Sequence, residues 1–305
     1  MAVNRIIQVL FVLLLTASLV DAQIWKNNRK EFFFGMGATN FLGDLGGADI
    51  PGSHGLKDLN MEASRPVFNI GYLHKWKKWF AFQHDVFYGT LNGDDSYSVV
   101  RSRDRRFCFR SPIFEFSSKF QVYKSFDKEG RYFNLKDIRG EKNFQFTPYL
   151  YAGIGFFYFN PKGRYTDGKW YALQPLSTEG QGIYTTRKKY SRLQLCVPVG
   201  IGFKVLMTPH WLLGIDFGMR KTFTDYIDDV SISYPSMDVL QSQIGPMAAY
   251  FSDPTGSALA GDARGGMFHK DVYMFVSITF RKIIPKPRRY FSTGRGKYKP
   301  YKKRR

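Results

Sequence analysis

Acidic and basic side chains occur singly within otherwise apolar, alternating segments, where they could act as catalytic acids and bases. These residues are Asp85, Glu115, Lys119, Lys204, Asp216, Arg220 and Arg281. Carboxylates held beside cations can perform general acid–base catalysis. The same side chains could instead form a network of ion pairs, because buried charges need partners. The network is the favoured interpretation, since the sequence has no G-x-S-x-G, H-E-x-x-H or P-loop motif.

Other candidates for a chemical site are weaker. The five histidines have no metal-ligand spacing. Cys108 and Cys196 lie far apart, and a pair of free thiols is favoured over a disulfide. Gly35-x-Gly37 lacks the third glycine of a dinucleotide-binding turn, since Asn40 stands in its place. The sequence therefore predicts a non-enzymatic protein with no cofactor, no metal and no small-molecule substrate.

The charged residues lie in segments that alternate with period two. From Leu193 to Met219, apolar residues such as Val199, Ile201 and Ile215 alternate with glycines and isolated charges. This pattern predicts two β-strands joined by a tight turn at Thr208-Pro209. A face of glycines and charges opposite an apolar face is typical of a small barrel whose lumen is crowded and whose outside meets lipid.

The N-terminus predicts export. Arg5 precedes an apolar run, Ile6 to Val20, and Val20-Asp21-Ala22 offers small residues for cleavage. We predict a signal peptide at 1–22, with an uncleaved anchor as the alternative. Strands behind such a peptide place the chain in the periplasm, the medium or the outer membrane. Aromatic residues at 17% and 29 glycines favour the outer membrane, because a barrel needs aromatic girdles and small lumen residues.

Residues 23–284 are predicted to form an all-β, eight-stranded antiparallel transmembrane barrel. The predicted strands are about 32–42, 66–74, 79–91, 106–123, 145–159, 193–206, 211–219 and 271–283. An even count puts both mature termini on one side, the periplasm, with long loops outside. Ser125 to Asn143 is an exception, a long connection on the short-turn side. Ten strands are the alternative, with Asp228 to Leu240 as the segment most open to revision.

The C-terminal segment, 285–305, is basic and predicted to be extended, because Pro285 and Pro287 cannot continue a strand ladder. It contains ten cations and no acid, half of the net charge of +20. They are Lys286, Arg288, Arg289, Arg295, Lys297, Lys299, Lys302, Lys303, Arg304 and Arg305, and Tyr290 is interleaved with them. Behind a signal peptide, nucleic acid is not expected, and the candidates are an acidic protein, anionic lipid or cell-wall polymer. A solvated tail without a partner is the alternative.

Residues 35–47 resemble a known family. The motif T-N-F-x-G-D-L-G-G follows an apolar first strand and includes Gly35, Gly37, Thr39, Asn40, Phe41, Gly43, Asp44, Leu45 and Gly46. It is similar to the PorG-type outer-membrane β-barrel of the Bacteroidota type IX secretion system. The resemblance implies a structural component, linked to gliding motility, that contacts outer-membrane lipid and docks to the periplasmic ring proteins, a lipoprotein and its partner. The alternatives are an adhesin or receptor acting through its extracellular loops, and an outer-membrane barrel enzyme.

Overall fold

The computed structural model describes residues 28–43, 45, 61–97, 105–123, 146–208, 210–266 and 270–286. The predicted signal peptide, the 125–143 connection and all of the C-terminal segment beyond Lys286 lie outside these residues.

Ten strands form one antiparallel sheet in the described chain. They are β1 (Lys30–Leu42), β2 (Arg65–Lys77), β3 (Phe80–Asp94), β4 (Cys108–Tyr123), β5 (Phe146–Phe159), β6 (Lys162–Arg164), β7 (Trp170–Ala172), β8 (Leu193–Thr208), β9 (Trp211–Thr222) and β10 (Val272–Ile284). Eight of them follow the order β3-β2-β1-β10-β9-β8-β5-β4, and the β3–β4 pairing closes the cylinder. The predicted eight-stranded antiparallel barrel is confirmed.

The two further strands lie outside the closed cylinder. β6 pairs with the start of β4, and β7 pairs with β6 alone, so they form a hairpin that extends one wall. The segment Asp228 to Leu240 supplies no barrel strand. It contains a single β-bridge, at Ser233, and the start of α1 (Met237–Gln243), which is followed by α2 (Pro246–Ser252). The ten-strand alternative is therefore wrong for the barrel wall.

Alternation along the strands gives the wall an apolar outside and a packed inside. Phe34, Ile70, Leu150, Ile201 and Ile278 are exposed on the outer face, on strands around the barrel. Such a continuous apolar belt is unfavourable in water and suits the hydrocarbon of a bilayer. No helix in the described part of the chain is long and apolar enough to cross a membrane. The closed wall and its apolar belt make this chain a transmembrane β-barrel.

The two ends of the barrel differ. The short connections from β2 to β3 and from β8 to β9 mark the short-turn end, where β1 begins and β10 ends; the long-loop end is opposite. At the short-turn end Trp76, Trp79 and Trp211 are exposed. Lys77 and Lys282 lie 5.8 and 5.6 Å from the ring centres of Trp79 and Trp211. Exposed indoles beside lysines are typical of the membrane–water interface.

Three details of the strand prediction were wrong. β1 begins before residue 32 and β2 continues beyond residue 74, which brings Glu31 and Lys75 into the lumen. Met274, which strand alternation places on the same lipid-facing side as Val276 and Ile278, is buried. Its register partner Asn40 donates a hydrogen bond to Ser64 Oγ at 3.3 Å, so protein chain covers the outer face there.

Candidate functional site

The lumen contains the seven predicted charged residues, and all of them are buried. They form ion pairs along the barrel, and hydrogen bonds through the buried side chains of Gln83 and Gln121 connect the pairs of Asp85, Arg281 and Lys204. Three pairs join predicted residues: Lys119 Nζ to Asp85 Oδ2 at 2.7 Å, Arg220 Nε to Glu115 Oε2 at 3.0 Å, and Arg281 Nη2 to Asp216 Oδ2 at 2.9 Å.

The remaining predicted residue, Lys204, pairs with a group that the sequence analysis missed. Its Nζ lies 3.0 Å from Glu31 Oε2, and Glu31 Oε1 lies 3.4 Å from Lys75 Nζ. Glu31 faces the lumen, as Phe33 and Gly35 do, because alternate residues of a strand face the same side. A predicted first strand that started at residue 30 instead of 32 would have included it. Lys75 was assigned to the turn.

Aromatic rings fill the space between these pairs. The Arg220 guanidinium lies 3.6 Å from the ring centre of Phe275, and that of Arg281 lies 4.3 Å from the ring centre of Phe33. Lys119 Nζ lies 4.9 Å from the ring centre of Tyr151. A cavity between Phe87, Phe275 and their neighbours measures only about 10 Å³, roughly the volume that one water needs. The described lumen is thus a packed core, as expected for eight strands.

The lumen carboxylates are occupied by hydrogen bonds. Glu115 accepts from Tyr273 Oη at 2.8 Å besides Arg220, and Asp216 accepts from Tyr149 Oη. Charge-assisted bonds of this kind stabilise the ionised form and leave no room for a substrate. In the part of the chain that the structure describes, no group of three or more His, Cys, Asp or Glu could hold a metal, and Cys108 and Cys196 are free thiols. The arrangement suits a structural role.

A second candidate site lies at the long-loop end. The described residues of 160–192 and 223–271 fold together into a unit that we call the cap. Its residues Ile227, Val230 and Tyr234 pack with Phe109 and Phe159 of the barrel wall in one apolar cluster. The cap therefore closes this end of the lumen with ordered protein.

Arg264 links the segments of the cap through hydrogen bonds. Its guanidinium is buried and donates to four groups: Glu179 Oε1 (3.2 Å), Asp229 O (2.5 Å), Ser252 O (3.2 Å) and Phe251 O (3.1 Å). Glu179 Oε1 also accepts from the Ser231 and Ile232 N–H groups at 2.8 and 3.1 Å. One ion pair thus joins both long connections and α2.

Two non-glycine residues beside this pair have left-handed backbone. Ser177 has φ 48° and Asp229 has φ 67°, and both are buried. Such conformations cost about 1–3 kcal/mol each and persist only where surrounding contacts fix them. For Asp229 those contacts are hydrogen bonds from Thr178 Oγ1 and from Tyr190 Oη, the latter at 2.6 Å. These contacts hold the two connections of the cap together beside the Arg264–Glu179 pair.

The cap is expected to become more stable as the pH falls from 7 to 5. In the cap, burial raises the pKa of Asp229 to about 6, although Arg264 opposes it. Just after β3, burial raises the pKa of Asp95 to about 6, although Arg105 opposes it, and Arg105 also donates to the cap carbonyl of Arg264 at 2.9 Å. Both pKa values lie above the unfolded value of 3.8, so the folded cap binds more protons between pH 4 and 6. Stability then falls as the pH rises from 5 to 7, by about 1 kcal/mol per group.

Hydrogen exchange of the cap amides at pH 5 and 7, corrected for intrinsic rates, measures this effect, and Asp95→Asn should reduce it. Asp253 does not oppose it: burial acts to raise the pKa of this residue, but hydrogen bonds from Ala258 and Thr255 lower it below 3.8. The stability that ionised Asp253 contributes is lost only when the pH falls below 3.8, outside the range from pH 5 to 7. A cap that opens more readily at pH 5 would contradict the expectation.

The residues of the family-like motif shape the end of β1 that packs against the cap. A Cβ at Gly37 would lie 1.8 Å from Val276 O, so only glycine fits there. Thr39 Oγ1 lies 2.6 Å from Thr90 O and 3.0 Å from Arg65 O, so its one hydrogen is shared between these two carbonyls. Gly35 and Asn40 are buried in the same strand. A Cβ at Gly43 would lie 2.2 Å from the Phe41 ring. Phe41 and Leu45 belong to the apolar cluster that includes Ile227 of the cap. Asp44 and Gly46 lie outside the described residues.

The predicted docking residues are mostly beyond the described chain. Lys286 is exposed at the short-turn end, just after β10. The other ten, from Arg288 to Arg305, lie outside the described residues.

A model of one protein family matches residues 4–248, and its description is "Domain of unknown function (DUF6089)". No curated protein matches the chain.

Several solved barrels resemble the structure at low identity. Ail, the attachment invasion locus protein of Yersinia pestis, is 8% identical with a TM-score of 0.35, over 84% of this chain and 98% of that chain. OprG from Pseudomonas aeruginosa is 12% identical with a TM-score of 0.37, over 85% and 98%. Neisserial surface protein A is 11% identical with a TM-score of 0.36, over 83% and 97%. At these TM-scores the likenesses carry no argument about function.

Proposed function

We propose that this chain, which belongs to the DUF6089 family, is a non-enzymatic outer-membrane component of the type IX protein secretion machinery. The observation that carries the non-enzymatic role is the filled lumen. Each predicted lumen charge has an ion-pair partner, and aromatic rings occupy the remaining space. Such a barrel offers its surfaces to partners rather than a passage or a catalytic cleft.

The assignment to type IX secretion rests on the resemblance at residues 35–47. The structure gives these residues packing roles: Gly37 lets β1 approach β10 closely, and Thr39 ties β1 to the carbonyls of β2 and β3. Linkage to gliding motility comes with the same resemblance.

In this proposal the short-turn end and both mature termini are periplasmic, and the cap is extracellular. Short periplasmic turns and long outer loops are the rule for such barrels. The segment from Lys286 onward then hangs below the membrane and docks to the periplasmic ring. Ten cations without an acid suit an acidic protein surface, with each exposed contact contributing about 0–1 kcal/mol.

Ending the chain at Ile284 is expected to leave a folded, heat-modifiable barrel that no longer co-purifies with the ring and no longer supports secretion. A full-length variant with the ten cations replaced by glutamine should behave in the same way, because charge drives the contact. Co-purification from solubilised envelopes at rising salt, with a secretion assay on the same cells, measures both effects. Lys188→Gln with Lys189→Gln, in the cap, is the control.

If the truncated barrel still co-purifies and still supports secretion, docking through the tail is wrong. If deleting the whole gene leaves secretion intact, the type IX assignment is wrong.

A second candidate is an adhesin or receptor that acts through the cap. The ordered cap favours it, because Arg264 and Glu179 hold both long connections in one arrangement. Loss of binding to surfaces or ligands in a cap variant, with secretion unchanged, would support this function instead.

A further inference from the structure

We propose that the outer face of β2, β1 and β10 binds one anionic phospholipid. Its phosphate would lie in a cationic cluster at the short-turn end, and one acyl chain would lie in a groove further along the same strands. This site adjoins the proposed docking tail and shares only Lys286 with it.

The cationic cluster is formed by Lys30, His74, Lys282 and Lys286. Lys30 is the register partner of both His74 and Ile284, and Lys282 is the partner of Phe32. These residues share the outward face, because the intervening positions 31, 73, 281 and 283 are all buried. Lys30 and Lys286 lie close enough to His74 to act on its charge. β1 and β10 thus present lysines side by side, and the His74 imidazole of β2 lies next to them.

Nothing described at this end neutralises the cluster. Glu31 is the one acid among the described residues near it, and it is 1% exposed and paired with Lys75 and Lys204 in the lumen. Lys30, Lys282 and Lys286 have no ion pair with any described residue. An unneutralised cluster of this kind attracts an anion.

The position of the cluster favours a lipid headgroup over a protein. Lys30 and Lys282 continue the rows of the lipid-facing side chains Phe32 and Phe280. Lys282 also lies beside the exposed indole of Trp211, the side chain typical of headgroup depth. Lysines at this depth lie at the level of the lipid phosphate groups.

The groove lies on the same three strands. It measures about 450 Å³ and is lined by Met36, Ala38, Pro66, Phe68, Val276 and Ile278. From Lys30 to Met36 is about 20 Å along the strand, or about 15 Å of depth at the usual tilt. One leaflet of hydrocarbon is about 15 Å thick, so an acyl chain below the cluster reaches the groove. Headgroup and chain sites are therefore spaced for a single lipid.

The test uses the purified full chain in neutral detergent and native mass spectrometry. Phosphatidylglycerol, phosphatidylcholine and inorganic phosphate are titrated separately. We expect one phosphatidylglycerol to bind at least about tenfold more tightly than phosphatidylcholine, since each lysine near a membrane surface contributes about fivefold. Inorganic phosphate should neither bind measurably nor displace the lipid.

Three variants test the headgroup cluster and the acyl-chain groove separately. Lys30→Gln with Lys282→Gln should remove the preference for phosphatidylglycerol, whereas the cap control Lys188→Gln with Lys189→Gln should keep it. Ala38→Trp, which fills the groove, should weaken the binding of both lipids alike.

Heat modifiability on gels checks that each variant is folded, and Lys282→Gln alone replaces the double variant if that fails to fold. Equal binding of both lipids to the wild-type chain, or an unchanged preference in the lysine variant, would overturn the proposal, as would tight binding of inorganic phosphate alone.

Discussion

Arg220→Met is expected to lower the free energy of unfolding by about 3–5 kcal/mol. Arg220 is fully buried, and its guanidinium is held between the Glu115 carboxylate and the Phe275 ring. Removing it leaves Glu115 charged and buried, with the Tyr273 hydroxyl as its remaining described hydrogen-bond donor. An uncompensated buried charge is more costly than the loss of the contact itself.

The control for this variant is the next residue. Lys221 is exposed on the outer face of β9, so Lys221→Met should change stability by about 0.5 kcal/mol or less. A double variant, Arg220→Met with Glu115→Leu, removes both charges and should recover much of the loss. Urea unfolding in lipid vesicles, followed by tryptophan fluorescence, measures all three. A loss under about 1 kcal/mol in Arg220→Met would mean that the pair contributes little.

The sequence was sufficient to predict the strands and their faces. Period two in β8 and β9 distinguishes the outward Ile201 and Ile215 from the inward Lys204 and Asp216, and the structure has the same division. The physical reason is local: successive side chains on a strand must point to opposite sides. Strand ends were less accurate, because nothing local stops β1 at residue 32.

The partners of the charges could not be predicted. Lys204 meets Glu31, which is 173 positions away and on a strand that is not its neighbour. Which inward residues meet across a lumen depends on the stagger of the whole closed sheet, and that is not encoded in any single segment. The sequence therefore indicated which charges need partners but not which ones they find.

The cap was missed altogether. Its helices α1 and α2 have seven residues each, too few for a clear helical period. Its central residue, Arg264, bonds mainly to backbone carbonyls, which every sequence supplies. An ordered loop built in this way has no pattern that a reader of the sequence could recognise.

Arg264→Met is expected to release the cap while leaving the barrel closed. Four hydrogen bonds from one buried guanidinium are lost, and Glu179 is left as a buried acid without its cation. A loss of about 3–5 kcal/mol is expected for breaking such a pair. The barrel strands keep their own ladders and lumen pairs, so unfolding should stop at the cap.

Hydrogen exchange of individual amides distinguishes opening of the cap from opening of the barrel. Amides held by the cap, those of Ser231 and Ile232 on Glu179, should exchange at least about a hundredfold faster, since each tenfold corresponds to about 1.4 kcal/mol. Amides in β8 and β9 should be unchanged. Arg264→Lys should not rescue the cap, because one ammonium cannot replace a fork that reaches four acceptors. Arg164→Met, an exposed arginine on β6, is the control and should have little effect. If cap amides in Arg264→Met exchange at the wild-type rate, the apolar cluster around Ile227 holds the cap, and the guanidinium is secondary.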